Sequence, residues 1–192
     1  MPGESGPGEF VEHTSLPGVL IIHPKKHGDH RGFFSETFNR AALAEHGVRD
    51  DWVQDNHSYS AARGVVRGLH FQAPPFAQAK MLRVVRGAIL DVAVDIRKSS
   101  PTFGKHVAVE LSAENWAQLY VPAGFAHGFC TITPDAEVLY KVSAPYAPDA
   151  EGGLLWSDPA LEIAWPVSQA EATVNARDAA WPTLAVLESP FQ

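Results

Sequence analysis

The chain has 192 residues, 45% of them hydrophobic, which is a size and composition expected of one globular domain with a substantial core. A formal net charge of −7 argues against nucleic-acid binding through a general basic surface, although a few local arginines can still bind an anionic small molecule. Cys130 is the only cysteine, which excludes an intrachain disulfide and a zinc site built on thiolates.

The N-terminal segment shows no targeting signal. Residues 1–9 are mostly Gly, Pro and Glu, and we predict that they form a disordered tail. The chain start lacks the basic residues and apolar run of a signal peptide, and no apolar run approaches the roughly 18 residues of a membrane span. We therefore expect a cytoplasmic protein that has no membrane partner.

The first half of the chain contains the one clear helix. Residues 18–25 read as a strand, residues 27–32 as a polar turn, and residues 33–38 as an extended segment. Residues 39–47 have Ala and Leu inside and a glycine at the C-terminal end, which is typical of a short helix.

Strand patterns dominate the rest of the chain. Residues 80–97 alternate and are broken at Arg86-Gly87, which predicts two strands. Further strands are predicted at 105–111, 117–122, 137–143 and 161–166. Many short strands separated by Gly and Pro turns predict a single all-β domain over residues 10–192, a sandwich or barrel. We expect the C-terminal residues 167–192 to wrap around it.

A spacing in the middle of the chain resembles the cupin jelly-roll signature, but the metal ligands of that signature are missing. The matching positions are Gly64, His70 and Gly87 in the first motif and Pro122, Gly124 and His127 in the second. Gln72 stands in place of the second histidine and Lys80 in place of the glutamate. An ammonium group has no lone pair for a metal and repels a cation, so we expect no metal site.

The residues that remain fit proton abstraction beside a carbonyl. A neutral imidazole such as His70 can take a proton, and a nearby ammonium such as Lys80 can stabilise the resulting enolate oxygen. A proton returned to the opposite face would complete an epimerisation. That step needs an acid across the site, and a tyrosine suits it.

Several long stretches, in order, resemble the dTDP-4-dehydrorhamnose 3,5-epimerase family. They are residues 29–36, 54–60, 67–75, 78–104, 121–129, 139–166 and 175–178. The resemblance implies a cupin-type jelly roll and a homodimer with exchanged N-terminal strands. It also implies conversion of dTDP-4-dehydro-6-deoxy-D-glucose to dTDP-4-dehydro-L-rhamnose, in dTDP-L-rhamnose synthesis, without a metal or redox cofactor.

The resemblance also implies roles for individual residues. His70 would remove the C3 and C5 protons, Asp178 would hold its tautomer, Tyr140 would protonate the opposite face, and Lys80 would stabilise the enolate. Arginines would bind the diphosphate, and other polar and aromatic residues would bind the nucleotide and sugar. This substrate-binding set is Arg31, Phe34, Glu36, Gln54, Asn56, Arg67, His127, Tyr146 and Arg177, with Asp91 as a further polar group lining the barrel.

Most of these residues have a structural alternative. Tyr140 alternates with Val138 and Val142 and would suit the core equally well. Lys80 at a strand start and Asp178 in a turn would ordinarily be solvated, and His127 would simply shape the barrel. Arg31 would be a turn residue, unless the exchanged arm carries it to the neighbouring subunit's site.

Three alternative functions stay open. A related epimerase would act at C3 only or C5 only, in another deoxysugar pathway. A metal-dependent cupin oxygenase would need the ligands that Gln72 and Lys80 replace. A sugar-nucleotide binding module without catalysis would not need His70, Asp178 and Tyr140 together.

Overall fold

Antiparallel strands are the main regular secondary structure of the computed structural model, which describes residues 10–192. The prediction of a disordered tail at residues 1–9 lies outside the described residues. Within the described part of the chain the strands are β1 (Val11–His13), β2 (Leu20–Ile22), β3 (Lys26–Asp29), β4 (Gly32–Ser35), β5 (Gln54–Ser60), β6 (Val66–Gln72), β7 (Lys80–Arg86), β8 (Ala88–Asp95), β9 (His106–Ser112), β10 (Gln118–Val121), β11 (Phe125–Thr131), β12 (Ala136–Val142) and β13 (Glu151–Gly153). The all-β class is therefore confirmed.

Two large sheets face each other. One has six strands in the order β1-β2-β10-β7-β12-β5, and the other has five in the order β13-β6-β11-β8-β9. Their facing sides enclose a core to which β7 contributes Leu82 and Val84, and β8 and β11 contribute Ile89 and Phe129. Alternation along each strand sends one set of side chains into this space, and part of the same set lines the cavity described below.

The outer faces of both sheets are also covered. Met81, Tyr120 and Ile22 of the six-stranded sheet pack against Leu43 of helix α1 (Arg40–Glu45). The outer face of the five-stranded sheet packs against the chain after β13, which contributes buried side chains such as Trp156. Because this sheet is apolar on both faces, β8 and β11 are almost continuously buried.

Helix α1 has the expected end signals. The Asn39 side-chain oxygen accepts hydrogen bonds from the backbone N–H groups of Ala41 and Ala42, both at 3.1 Å. Gly47 follows the helix with a φ of +87°, a left-handed conformation that favours glycine. The helix predicted at residues 39–47 is thus confirmed. The predicted range is longer than the helix because it includes Asn39 and Gly47, which flank it. No helix in the described residues is long and apolar enough to cross a membrane.

The predicted break at Arg86-Gly87 is confirmed as the point where the chain passes from one sheet to the other. Strand β7 ends at Arg86 in the six-stranded sheet, and β8 begins at Ala88 in the five-stranded sheet. Gly87 has a φ of +74°, and a Cβ there would collide with Thr133. Only glycine fits this corner.

The predicted strand at 161–166 is wrong. A 3₁₀ turn occupies Pro159–Leu161, and the Asp158 side chain caps it by accepting a hydrogen bond from the Ala160 N–H at 3.0 Å. Leu161 is buried because it packs onto the outer face of the five-stranded sheet, and the indole of Trp165 donates a hydrogen bond to the Trp156 carbonyl. The apolar alternation in this segment therefore reflects packing onto a sheet, without strand pairing.

Candidate active site

A cavity of about 290 Å³ opens between the two sheets, next to a second one of about 260 Å³. Both are lined by His70, Lys80, Tyr140, Tyr146 and Glu151. The lining residues among the predicted catalytic and substrate-binding residues are Gln54, Asn56, Arg67, His70, Lys80, His127, Tyr140, Tyr146, Arg177 and Asp178, and Gln72 also lines the second cavity. The fold thus brings most of the predicted site residues together.

His70 and Asp178 form a hydrogen-bonded pair at this cavity. His70 lies on β6, and Asp178 begins a 3₁₀ turn more than a hundred residues later. The His70 Nε2 is 2.7 Å from Asp178 Oδ1, and Asp178 Oδ2 accepts the Gly68 N–H at 3.0 Å. Because both carboxylate oxygens accept, Nε2 carries the proton and the lone pair is on Nδ1.

The Asp178 carboxylate is held in its charged form. Its side chain is completely buried, and the Asn175 side-chain oxygen fixes the backbone by accepting the Asp178 N–H at 2.7 Å. Burial raises the pKa of Asp178, but the hydrogen bonds from His70 and Gly68, with the charges of His70 and Arg177, outweigh it and lower the pKa below its usual range. A permanent negative charge therefore sits beside the His70 imidazole.

Tyr140 and Lys80 approach from the opposite sheet. Tyr140 lies on β12 and Lys80 at the start of β7, and these strands are neighbours, with Val142 opposite Lys80. Tyr140 also packs against the core, so it is at once a core residue and a residue that lines the cavity. The cavity therefore has His70 on one wall and Tyr140 on the facing one.

The chemical states of these two groups are set by burial. Burial raises the pKa of Tyr140, against the smaller effect of the Arg67 charge, so the phenol stays protonated. Burial lowers the pKa of Lys80 to about 8, while the carboxylates of Glu151 and Asp91 act in the opposite direction. Lys80 therefore keeps its proton at neutral pH but is easier to deprotonate than an exposed lysine.

A second buried pair, His127 and Asp91, lies beside the first. His127 is directly opposite His70 in the β6–β11 pairing, and its Nε2 is 2.8 Å from Asp91 Oδ1. Asp91 Oδ2 has no hydrogen-bond partner within residues 10–192. Burial raises the pKa of Asp91, opposed by the charge and hydrogen bond of His127 and by the Lys80 charge. The family resemblance indicated both residues, but sequence spacing gave no reason to pair them.

The polar end of the cavity is formed by two arginines and an acid that sequence reasoning missed. Arg67 donates hydrogen bonds to the Ser60 hydroxyl and the Tyr59 carbonyl. Glu151 Oε2 accepts from Arg177 at 2.6 Å and from the Tyr146 hydroxyl at 2.9 Å. Glu151 lies within the matched stretch 139–166, and nothing in its immediate sequence distinguishes it from a turn residue.

Three predicted residues do not reach the cavity within one chain. Arg31 pairs with Asp29, the Phe34 side chain is 71% exposed, and Glu36 accepts a hydrogen bond from Asn39. Arg31 and Phe34 belong to the β3–β4 hairpin, which is exposed along most of its length, and Glu36 follows it. They are therefore placed together, on an arm of the chain away from the cavity.

Gln72, at the position of the second cupin histidine, is committed to the backbone. Its amide nitrogen donates to the carbonyls of Phe76 and Pro145, and its oxygen accepts the Ala147 N–H. Within residues 10–192 no group of three His, Cys, Asp or Glu side chains is arranged to hold a metal ion.

The sequence matches one known protein family over most of its length. Residues 13–186 match the family described as dTDP-4-dehydrorhamnose 3,5-epimerase. A protein of that name from Shigella flexneri is 56% identical over 158 residues, which are 82% of this chain and 87% of the relative.

Solved structures are similar over most of the chain. The dTDP-6-deoxy-D-glucose-3,5-epimerase of Legionella pneumophila, in complex with dTDP-4-keto-L-rhamnose, has a TM-score of 0.88 and 42% identity, covering 93% of this chain and 94% of its own. The 3′-monoepimerase ChmJ of Streptomyces bikiniensis, in complex with dTDP-quinovose, has a TM-score of 0.83 and 39% identity, covering 90% and 86%. With the family match over most of its length, this chain belongs to the dTDP-4-dehydrorhamnose 3,5-epimerase family.

Proposed function

We propose that this protein converts dTDP-4-dehydro-6-deoxy-D-glucose to dTDP-4-dehydro-L-rhamnose by epimerisation at C3 and C5, in the synthesis of dTDP-L-rhamnose. One observation carries the proposal: the His70–Asp178 pair and Tyr140 face each other across one cavity from opposite sheets. A base and an acid on opposite sides of a sugar ring are what inversion at a carbon requires.

His70 acts as the base. With Nε2–H donated to Asp178, the free lone pair on Nδ1 removes the proton from the carbon beside the C4 carbonyl. The imidazolium that forms is stabilised by the Asp178 carboxylate, which stays ionised because its pKa is lowered. A positioned base of this kind contributes roughly 10²–10⁴-fold to the rate.

Lys80 and Tyr140 complete the step. The electron pair released from carbon moves to the C4 oxygen, where the Lys80 ammonium stabilises the enolate. The enolate then returns the pair to carbon, which takes the phenolic proton of Tyr140 on the opposite face. Imidazolium and phenolate exchange their protons with solvent, and the same sequence at the second carbon gives the 3,5-epimer without a metal or redox cofactor.

The other lining residues bind the substrate. Arg67 and Arg177 offer planar donor groups for the diphosphate, which is how a chain with a net charge of −7 binds an anion. Gln54, Asn56 and Tyr146 bind the nucleotide at the adjoining cavity, and His127 contacts the sugar.

The active form is a cytoplasmic homodimer with exchanged N-terminal strands. This assembly accounts for Arg31, Phe34 and Glu36, which lie together on the exposed arm of the chain and would complete the nucleotide site of the second subunit. A mixing experiment tests it. Arg31→Ala and His70→Ala proteins, each nearly inactive alone, should regain activity when co-refolded, because a mixed dimer has one site with both residues intact. Activity that never exceeds the sum of the two would contradict the exchange.

The reaction is tested by NMR in D₂O with purified protein and dTDP-4-dehydro-6-deoxy-D-glucose. We expect deuterium at both C3 and C5, and trapping of the product as dTDP-L-rhamnose by a downstream reductase. His70→Ala should abolish exchange while dTDP binding measured by calorimetry stays nearly unchanged, because the phosphate contacts lie on the arginines. No exchange with the wild-type protein would leave only a sugar-nucleotide binding module.

Similarity to a 3′-monoepimerase gives one alternative a specific basis. In that case the same His, Asp and Tyr would act at one carbon only. The D₂O experiment separates the two, because a single-position epimerase incorporates deuterium at C3 or C5 alone.

A further inference from the structure

A loop without regular secondary structure, residues 144–147, carries Tyr146 at the mouth of the cavity. It follows β12, the strand that carries Tyr140, with one residue between them. The Tyr146 ring is 53% exposed, so core packing does little to hold it. What holds this loop in place therefore decides where Tyr146 lies.

Three glutamine side chains hold the loop backbone. Gln78 donates to the Ala144 carbonyl at 2.7 Å, and Gln72 donates to the Pro145 carbonyl at 3.1 Å. Gln54 accepts the Tyr146 N–H at 3.2 Å, and Gln72 accepts the Ala147 N–H at 2.9 Å. These four hydrogen bonds take the place of the strand pairing that ends with β12. We refer to Gln54, Gln72 and Gln78 as the glutamine clamp.

Gln72 is the central member. Its side chain is only 3% exposed, and its amide uses donor and acceptor at once, with a further bond to the Phe76 carbonyl at 2.7 Å. A carboxylate of the same length cannot donate, and an imidazole cannot make three such bonds. The residue that replaces a metal-binding histidine of the cupin motif thus ties together the segments on either side of the cavity mouth.

The loop in turn holds the polar end of the cavity. The Tyr146 hydroxyl and Arg177 both donate to Glu151 Oε2, and Glu151 lies near the Lys80 ammonium. A displaced loop would release Tyr146 from Glu151 and leave Arg177 with one fewer fixed neighbour. Displacement would thus act on substrate binding before it acts on His70 or Tyr140, which are fixed by their own strands.

We propose that the glutamine clamp is a positioning device for the binding of the nucleotide sugar. Gln72 also lines the smaller cavity, but its amide is engaged with backbone groups, so it acts through Tyr146 and not by contact with substrate. The proposal rests on the proposed function, because it assigns the nucleotide end of the cavity to Tyr146. If the loop adopts its binding arrangement about a tenth of the time without Gln72, the apparent affinity falls to that fraction of its wild-type value, which is about a tenfold loss.

The test compares Gln72→Met with wild type in kcat, KM and the dTDP dissociation constant. Methionine keeps the length and removes all three hydrogen bonds. We expect KM and the dTDP dissociation constant to rise about tenfold while kcat changes less than about threefold. In a Tyr146→Ala background the same substitution should change neither binding quantity. Gln78→Met, which removes one bond from a less buried side chain, should give a smaller rise in the same direction and serves if Gln72→Met folds poorly.

Thr131→Val is the matched control for lost stability. Thr131 is fully buried on β11 and its hydroxyl bonds the Val65 N–H and the Ala62 carbonyl, away from the cavity. It should lower Tm and leave KM unchanged.

The clamp proposal is overturned if Gln72→Met lowers Tm without raising KM, or if its effect on KM is undiminished in the Tyr146→Ala background. The dTDP measurement is independent of turnover, so a protein that binds dTDP but does not epimerise would refute the proposed function and leave the clamp testable.

Discussion

Asp178→Asn is the substitution whose consequence follows most directly from the hydrogen bonds of the site. The Gly68 N–H occupies Asp178 Oδ2 and can only donate. An asparagine must therefore place its oxygen there and turn its NH₂ group toward His70 Nε2. Nε2 then becomes an acceptor and the proton moves to Nδ1, which removes the lone pair that abstracts the substrate proton.

Two estimates set the range of the expected loss. At an effective dielectric constant of about 20, unit charges about 4 Å apart attract by roughly 4 kcal/mol, and losing that stabilisation of the imidazolium costs on the order of 10³-fold in rate. The same Asp-to-Asn substitution in a Ser-His-Asp triad lowers kcat by about 10⁴-fold, chiefly because the histidine adopts the wrong tautomer. We expect kcat for Asp178→Asn to fall by about 10³–10⁴, with a dTDP dissociation constant within a few-fold of wild type.

The assay is deuterium incorporation at C3 and C5, followed by NMR under saturating substrate. Asp95→Asn is the matched control, because Asp95 is equally buried but bonds Arg97, Ser100 and Thr102. That control should lower Tm and spare kcat. If Asp178→Asn kept more than about a tenth of the wild-type rate, the tautomer argument would be wrong.

Three further predictions address the opposite wall and the strand packing. Tyr140→Phe should slow formation of the epimer by about 10²–10⁴-fold, while deuterium still enters the substrate with retention of configuration. If epimer formation and deuterium exchange were lost together, Tyr140 would be needed for proton abstraction as well, and its assignment as the acid alone would be wrong. Wild-type kcat/KM, which reports the free enzyme, should fall as pH rises through about 8, where Lys80 loses its proton. In Lys80→Arg this alkaline fall should disappear, at a lower overall rate. A Lys80→Arg profile with the same fall would assign it to another group. Gly128→Ala should lower the free energy of unfolding by about 1–3 kcal/mol in urea denaturation. The added Cβ would lie 2.5 Å from the Arg67 carbonyl oxygen and 3.0 Å from Gly68 Cα, so β6 and β11 would have to move apart. An unchanged urea midpoint would show that the two strands separate easily and that the close contact costs little.

Local signals in the sequence were sufficient for much of the fold. The Asn39 cap and Gly47 delimit the helix, and Gly87 marks the passage between sheets, because each depends on the backbone of its own segment. The prediction failed at residues 161–166, where an apolar alternation packs onto a sheet without joining it. A periodic pattern reports burial, and burial has more than one structural cause.

For the site, the sequence was sufficient to predict which chemical groups are present: a histidine and a lysine at cupin positions, without the metal ligands. The order of its motifs was sufficient to indicate the family of the chain. The contacts between these groups depend on the tertiary structure. His70 meets Asp178 across 108 positions of the chain, His127 meets Asp91, and Glu151 joins Arg177 to Tyr146. Gln72, which the sequence marks only as a missing ligand, holds the loop that carries Tyr146. A side-chain hydrogen bond needs direction and distance within a few tenths of an ångström, and these are set by how two sheets pack, which no local pattern of residues specifies.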